Sequence, residues 1–303
     1  MQGRQVMRPV IYLTLLLLVA CGQSNDTIES QLSTTDRAVT VNTTPAVSDE
    51  MQAKWLSSCR QALLEKDLVT AKKDCVKAST LAGAEGQFLL AELYLQRDSE
   101  TARKMAVDYY RKALAEDYVE AQYRMAQLLQ QGVYIARDEA KAMALHSLAC
   151  QQQWAASCKD LAVSAIGQYN FDEAGQLLER AIAYGSVRAY YHKGYMLESG
   201  KAGRPDVEAA YGYYKKGAEQ GDSLSQYALY WFGYTGTVVE KDYQQAYTWW
   251  MLANEGDLKS TENWHRHTLS TNGRILKNML SDDEIDMAVD EANKYRSGYS
   301  SLE

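Results

Sequence analysis

A helix-turn-helix unit recurring about every 35 residues constrains this chain more than any other feature. Its cleanest copy runs from Ala189 to Asp222, AYYHKGYMLESGKAGRPDVEAAYGYYKKGAEQGD. In the first half, Ala189, Lys193, Gly194 and Leu197 fall at helical spacing, with Tyr190 and Tyr191 beside them. Gly200 and Gly203 mark a turn, and Pro205 keeps the residue before it out of helical geometry. Asp206 is placed to cap a second helix by accepting a bond from an otherwise unpaired backbone N–H. Ala210, Tyr213, Tyr214 and Gly217 then form the i, i+3, i+4, i+7 stripe of a buried face. A glycine inside a helix costs about 1 kcal/mol against alanine. Gly217 therefore predicts a close crossing of two helices with no Cβ between them, and Gly221 stops the helix at its C′ position.

The spacing is regular in both directions. Ala189 matches Ser225, 36 residues on, while Asp206 matches Asp242, Ala210 matches Ala246 and Tyr213-Tyr214 match Trp249-Trp250. Going backwards, Ser157, Ala121 and Gly86 occupy the same place at steps of 32, 36 and 35. An aromatic recurs two places along, as Phe88, Tyr123, Tyr191 and Tyr227. The turn glycine recurs as Gly132, Gly200 and Gly236, and the cap as Asp138, Asp206 and Asp242. A period of this length predicts a stack of helical hairpins, each burying its apolar face only against its neighbours.

The pattern A-x-Y-x-x-A/G, then G-x5-D-x3-A-x3-Y/W, resembles the Sel1-like repeat, a longer-looped relative of the tetratricopeptide repeat. The unit with Gly236-Thr237-Val238, Asp242, Ala246 and Trp249-Trp250 is close to the family pattern. The resemblance implies an all-α, right-handed α-solenoid over residues 51–260. Ser157–Arg188 departs from it: its loop is four residues shorter, and Tyr169-Asn170-Phe171-Asp172-Glu173-Ala174 is closer to a tetratricopeptide. The unit over 86–120 lacks the turn glycine. Such repeats serve unrelated tasks, so the resemblance speaks to fold far more than to function.

The chain opens differently. Arg4 and Arg8 precede the apolar run from Val10 to Ala20, which is too short for a spanning helix of about 20 residues. A basic start, a short apolar core and a small residue at the end predict a secretory signal over 1–20. Leu18-Val19-Ala20-Cys21 resembles the bacterial lipobox, which implies lipid attachment at Cys21. Gly22 follows where Asp often marks inner-membrane retention, so the resemblance implies an outer-membrane anchor, held through several acyl chains and facing the periplasm. Residues 21–50 are rich in Ser, Thr, Asn and Asp, cannot bury a core, and are expected to form a flexible tether.

Two flanking segments complete the solenoid. Met51–Gly83 carries Trp55, Leu56, Cys59 and Leu63 on one helical face and Ala71, Cys75 and Ala78 on the next, a diverged first hairpin with Asp67 at the cap position. At the other end, 261–303 leaves the period and is expected to form capping helices. Ser281-Asp282-Asp283-Glu284 is a capping box, and Ile285, Ala288, Val289 and Ala292 form the stripe behind it. Solenoids need a terminal element with a polar outer face. The tail Ser297–Glu303 is expected to fray.

Export to an oxidising compartment makes disulfides possible. Setting Cys21 aside leaves Cys59, Cys75, Cys150 and Cys158, which allow three pairings. Cysteines two repeats apart cannot meet in a solenoid, so the candidates are Cys59–Cys75 and Cys150–Cys158, with buried free thiols as the alternative. The second pair also resembles the disulfide-rich branch of the Sel1-like family, where Cys-x7-Cys joins one repeat's second helix to the next repeat's first.

Removing the signal would take the net charge from −7 to −9, and an acidic chain without a basic patch argues against nucleic acid as a partner. His265-Arg266-His267 points alternate residues in different directions, so no metal and no cofactor are expected. The sequence carries no P-loop, H-E-x-x-H, G-x-S-x-G or dinucleotide glycine fingerprint. Most of the 22 Tyr and 6 Trp sit on repeat positions, which assigns them to core packing. On the first helices, however, Arg124, Gln127, His192 and Gln226 vary between repeats, as do the candidate partner-binding residues Tyr190, Tyr195, Tyr230 and Trp231. The expected function is a non-enzymatic, membrane-anchored scaffold that binds an envelope protein or peptide in a helical-repeat groove. The alternatives are a lipoprotein of polysaccharide or cell-wall assembly, or a penicillin-binding or β-lactamase-like enzyme. Against the enzyme, Ser57-Ser58-Cys59-Arg60 and Ser79-Thr80-Leu81-Ala82 both fail Ser-x-x-Lys.

The anchor has a direct test. Cys21→Ser removes the acylation site and should leave an unprocessed precursor, detected by mass spectrometry of envelope fractions. A mature N-terminus other than acylated Cys21 in the unaltered protein would refute the assignment.

Overall fold

The computed structural model describes residues 48–97, 99–201, 203–256 and 271–299. The signal, Cys21, nearly all of the tether and His265-Arg266-His267 lie outside them. Twelve helices pair into six hairpins: α1 (Asp49–Leu64) with α2 (Leu68–Leu81), α3 (Gly83–Leu95) with α4 (Glu100–Ala115), α5 (Val119–Gln131) with α6 (Glu139–Gln151), α7 (Ala155–Gly167) with α8 (Phe171–Ala183), α9 (Val187–Glu198) with α10 (Val207–Glu219), and α11 (Ser223–Thr235) with α12 (Tyr243–Glu255). A helical stretch at 271–277 and α13 (Asp282–Tyr299) follow. The result is an α-solenoid. Among the described residues no helix is long and apolar enough to cross a membrane.

Each hairpin begins and ends on local chemistry. Asp67, Asp138, Asp206 and Asp242 accept backbone N–H bonds from the first turns of α2, α6, α10 and α12, at 2.9–3.2 Å. These bonds satisfy donors that a helix start leaves unpaired. Gly132 and Gly236 close α5 and α11 at φ 66° and 74°, a left-handed conformation that a side chain would strain. Ser48 caps α1, which starts at Asp49, so helix replaces the last two residues of the expected tether.

The hairpins close on small residues. Ala71, Ala78, Ala106, Ala142, Ala174, Ala210 and Ala246 are fully buried, one or two in each second helix. A Cβ on Gly217 would overlap the Ser225 hydroxyl and stand 3.1 Å from the Cβ of Tyr190, so three helices meet where the sequence predicts a close crossing. The first helices of neighbouring hairpins also approach one another, α1 with α3, α7 with α9 and α9 with α11. No comparably close pair of second helices occurs among the described residues. The stack therefore bends with its first helices inside.

Disulfides join Cys59 to Cys75 across the first hairpin and Cys150 in α6 to Cys158 in α7, with Cα atoms 4.9 and 4.8 Å apart. All four cysteines are buried. At the far end the capping box forms as expected: Glu284 N–H donates to Ser281 Oγ at 3.4 Å, and Ser281 N–H donates to Glu284 at 2.8 Å. Ala288 and Ala292 enter the last core, whereas Val289 stands exposed. Of the tail, residues 300–303 lie outside the described residues, and 297–299 depart from expectation. Helix α13 continues through Ser297 to Tyr299, whose hydroxyl donates to the Ala218 carbonyl at 3.0 Å and accepts from Gln226 at 2.9 Å.

Two glycines separate packing from propensity. A Cβ on Gly86 would overlap the backbone carbonyl of Ala78, while one on Gly212 meets nothing within 4 Å. Gly86→Ala should destabilise the protein by about 1–3 kcal/mol through overpacking. Gly212→Ala should stabilise it by up to about 1 kcal/mol through helix propensity. Urea unfolding followed by circular dichroism measures both, and equal effects would contradict the crossing geometry.

Candidate partner-binding face

The first helices carry two kinds of surface. Over α1, α3 and α5 it consists of paired charges. Arg60 meets Glu85 at 2.5 Å, and Arg124 clasps Glu92 with two nitrogens at 2.8 and 2.9 Å. Glu92 also accepts the hydroxyl of the buried Tyr110 at 2.7 Å. Arg124 and Gln127 are thus placed as the sequence reading has them, but both are committed within the fold, Gln127 donating to the Tyr123 hydroxyl.

Over α9 and α11 the surface turns aromatic. Helix α11, SLSQYALYWFGYT, carries no charged side chain. Trp231 is 45% exposed and packs its ring 6.4 Å from Tyr230 and 6.1 Å from Tyr234. Tyr195 is 37% exposed and stacks on Tyr191 at 6.4 Å. Lys201 holds Tyr195 from the turn, with its ammonium 4.4 Å over the ring and 3.0 Å from the hydroxyl. Half-buried Tyr191 and Tyr234 therefore support two rings that face solvent.

The structure corrects two candidates. Tyr230 is fully buried, in a core that includes Tyr214, Trp249 and, from the terminal segment, Leu276. It cannot face a partner: it stands at the repeat place that Ala91, Ala126, Ala162 and Gly194 hold elsewhere, and all of these are buried. Tyr190 turns toward the second-helix layer, half-buried with its ring 6.4 Å from that of Tyr213 in α10. Gln226 is also buried, bonded to Tyr299 and to the Ala218 carbonyl. Of the four partner-binding candidates, Tyr195 and Trp231 remain open.

Sequence reading missed Lys201 and the interhelical charge pairs. The pairs do leave a trace: Glu92 and Arg124 lie 32 residues apart, and Arg188 and Asp222 lie 34 apart, each close to one repeat. Opposite charges at the repeat spacing on first helices are the signal.

Two histidines lie under this face. His146 is fully buried, with Nδ1 3.2 Å from Ser157 Oγ and Nε2 3.3 Å from Gln130 Oε1. Burial lowers its pKa, as fits a neutral ring donating from Nε2. Burial also brings His192 down to about 4, helped by the nearby charges of Lys159 and Arg188. Among the described residues, no cluster of three or more His, Cys, Asp or Glu side chains is arranged to hold a metal ion.

A family model described as the Sel1 repeat matches residues 84–118, 119–153, 187–222 and 223–257. The unmatched hairpins are α1–α2 and α7–α8, the two whose connections are only three residues long. Among solved structures, a Sel1 repeat protein from Oxalobacter formigenes is similar with a TM-score of 0.62 and 20% identity, over 79% of this chain and 99% of that one. A protective antigen of uropathogenic Escherichia coli with an SLR fold is similar with a TM-score of 0.56 and 22% identity, over 80% of this chain. The chain spans 61% of the length of that antigen. No curated protein matches the chain.

The histidines predict an acid response. A folded pKa of about 4 against an ordinary 6.5 means that the unfolded chain takes the His192 proton first as pH falls. The stability tied to a neutral His192 is complete above pH 6.5 and is lost progressively down to about pH 4. His146 adds to the loss with the same sign. The expected loss from His192 at pH 5 is roughly 1–2 kcal/mol. His192→Gln should flatten this part of the urea-midpoint profile, and an unchanged profile would refute the assignment.

Proposed function

The chain is a Sel1-repeat protein, and from that premise we propose that it is a non-enzymatic scaffold, lipid-anchored at a bacterial outer membrane and facing the periplasm, whose inner face binds a protein or peptide of the envelope. One observation carries the reading: Tyr195 and Trp231 are large rings open to solvent, supported from below by Tyr191, Tyr230 and Tyr234. Large aromatic side chains are the commonest anchors of protein interfaces, and their few rotatable bonds make them cheap to immobilise. The neighbouring helix α11 offers no charge to be desolvated when a partner covers it. An extended segment laid along α9 and α11 would reach apolar rings first and the ion pairs of α3 and α5 further along. Such a partner needs pockets for some side chains and polar groups for its backbone, and this face offers rings and ion-pair edges. The anchor rests on the sequence around Cys21. Acyl chains there would tether the solenoid while leaving its face free.

Tyr195→Ala combined with Trp231→Ala tests the reading. The double variant should keep its helical content and lose affinity capture of the partner from solubilised envelopes, by tenfold or more if the rings are anchors. Tyr230→Ala is the contrasting variant and should cost about 3–5 kcal/mol of stability as a core truncation. Undiminished capture by the Tyr195/Trp231 variant would place the interface elsewhere.

A further inference from the structure

A cavity of about 540 Å³ opens between α4 and α6, on the side of the solenoid away from the inner face. It lies where successive second helices stay apart, and Ile135 to Asp138 of the seven-residue connection at 132–138 form part of its wall. Gly132 N–H and Asp138 N–H fasten the two ends of that connection to the Leu128 and Leu129 carbonyls, both at 3.0 Å. The floor is apolar, formed by Leu114, Met125, Leu129, Ile135 and Leu145.

The rim is cationic. Arg111, Arg137 and Lys141 surround the mouth, and Asp138 is the one carboxylate in the lining. Asp138 is occupied as the cap of α6, accepting from the Lys141 backbone N–H. Each cation has an acidic neighbour: Asp108 for Arg111, Glu139 for Arg137 and Asp138 for Lys141. The three cationic side chains are 62%, 70% and 75% exposed, so these pairs sit in water, hold little energy and exchange readily for another anion. A positive rim over an apolar floor stands out on a chain of net charge −7.

The last hairpin shows how the same place can be closed. At a step of 104 residues, Trp249 replaces Leu145, Gly233 replaces Leu129 and Gln245 replaces Lys141. Trp249 is buried there, and Gly233 lets Ala246 approach to 3.3 Å of where its Cβ would stand. Between α4 and α6 the smaller Leu145 leaves the space open.

We propose that this cavity binds a small anionic amphiphile: one unbranched acyl chain lying on the leucine-rich floor, with its carboxylate among Arg111, Arg137 and Lys141. Its volume lies within the roughly 300–1,000 Å³ of small-ligand sites, and an apolar lining with a few convergent polar groups is their usual chemistry. The single charged end fixes the direction of the chain, head outward at the rim.

Calorimetric titration of the full chain with octanoate and decanoate, both below their micellar concentrations, tests the proposal. One decanoate should bind per chain, more tightly than octanoate by about fifteenfold, since each of the two added methylenes contributes roughly fourfold. Arg137→Gln with Lys141→Gln, both on the surface, should weaken decanoate by at least tenfold while circular dichroism stays unchanged. Ala144→Trp, at an exposed lining position, should fill the mouth and remove binding. Absence of saturable decanoate binding would overturn the proposal. So would full affinity in the charge variant, or in a folded Ala144→Trp variant. If Ala144→Trp does not fold, the charge variant decides alone.

Discussion

At Gly86, Gly194 and Gly217 one helix lies so close to the next that a single Cβ would collide with its neighbour: the Ala78 carbonyl, the Tyr214 ring at 2.7 Å and the Ser225 hydroxyl. Everything else in the solenoid depends on this closeness. With glycine and alanine at the crossings, the apolar stripe of each helix is satisfied by its immediate neighbours, and large side chains are pushed to the flanks. The rings of Tyr110, Tyr214 and Tyr230 then fill the wedges beside the crossings and are fully buried or nearly so. The bend follows as well, because first helices approach one another where second helices do not.

A chain built on neighbour contacts is weakest at its ends, where one side of the last unit has no partner. The two ends are managed differently. At the start, the Cys59–Cys75 bridge ties α1 to α2 under a hairpin that keeps Leu64 and Val69 exposed, at 78% and 84%. At the far end there is no disulfide among the described residues. Instead α13 lays Ala288 and Ala292 on the core, packs the Tyr295 ring against that of Trp249 at 4.6 Å and pairs Arg296 with Glu255. The Cys150–Cys158 bridge sits where the repeat pattern breaks, between α6 and the short-looped α7–α8 hairpin. A covalent tie at that joint holds the stack together where the Sel1 pattern gives way.

Much of this was legible in the residues because it is local or periodic. Asp138, Asp206 and Asp242 act as caps since a side chain two or three residues from its N–H partner needs no knowledge of the rest of the fold. Gly217 could be read as a crossing because a helical glycine is costly unless something presses on it. The errors have other causes. Tyr230 looked like a variable surface position on α11, yet it stands where the other repeats hold Ala91, Ala126, Ala162 and Gly194, all of them buried. What misled was its size: a tyrosine ring stands where the other repeats hold alanine or glycine, and it joins a core that the terminal segment shares through Leu276. Tyr190 and Tyr195 lie five residues apart on α9, about 140° round the helix, so the two rings cannot share one face. The cavity between α4 and α6 was invisible for a third reason: it is space left by Leu145 where Trp249 would close it, and sequence patterns record side chains rather than gaps.

The same modularity explains how one chain can carry two unlike surfaces. In a globular core, changing Leu145 to tryptophan or replacing charges by rings would disturb contacts distant in sequence. Here each hairpin answers only to its neighbours, so the outward positions of one unit can change while the alanine and glycine crossings stay fixed. Glu92 and Arg124 pair across adjacent first helices, and nothing in α9 or α11 has to accommodate them. The aromatic rings of Tyr195 and Trp231 in turn make no demand on α3 or α5. Charged and aromatic stretches can therefore follow one another along the inner face, and a cation-rimmed cavity can open on the opposite side. The repeat holds the backbone constant, and the unlike chemistry is confined to positions the packing leaves free.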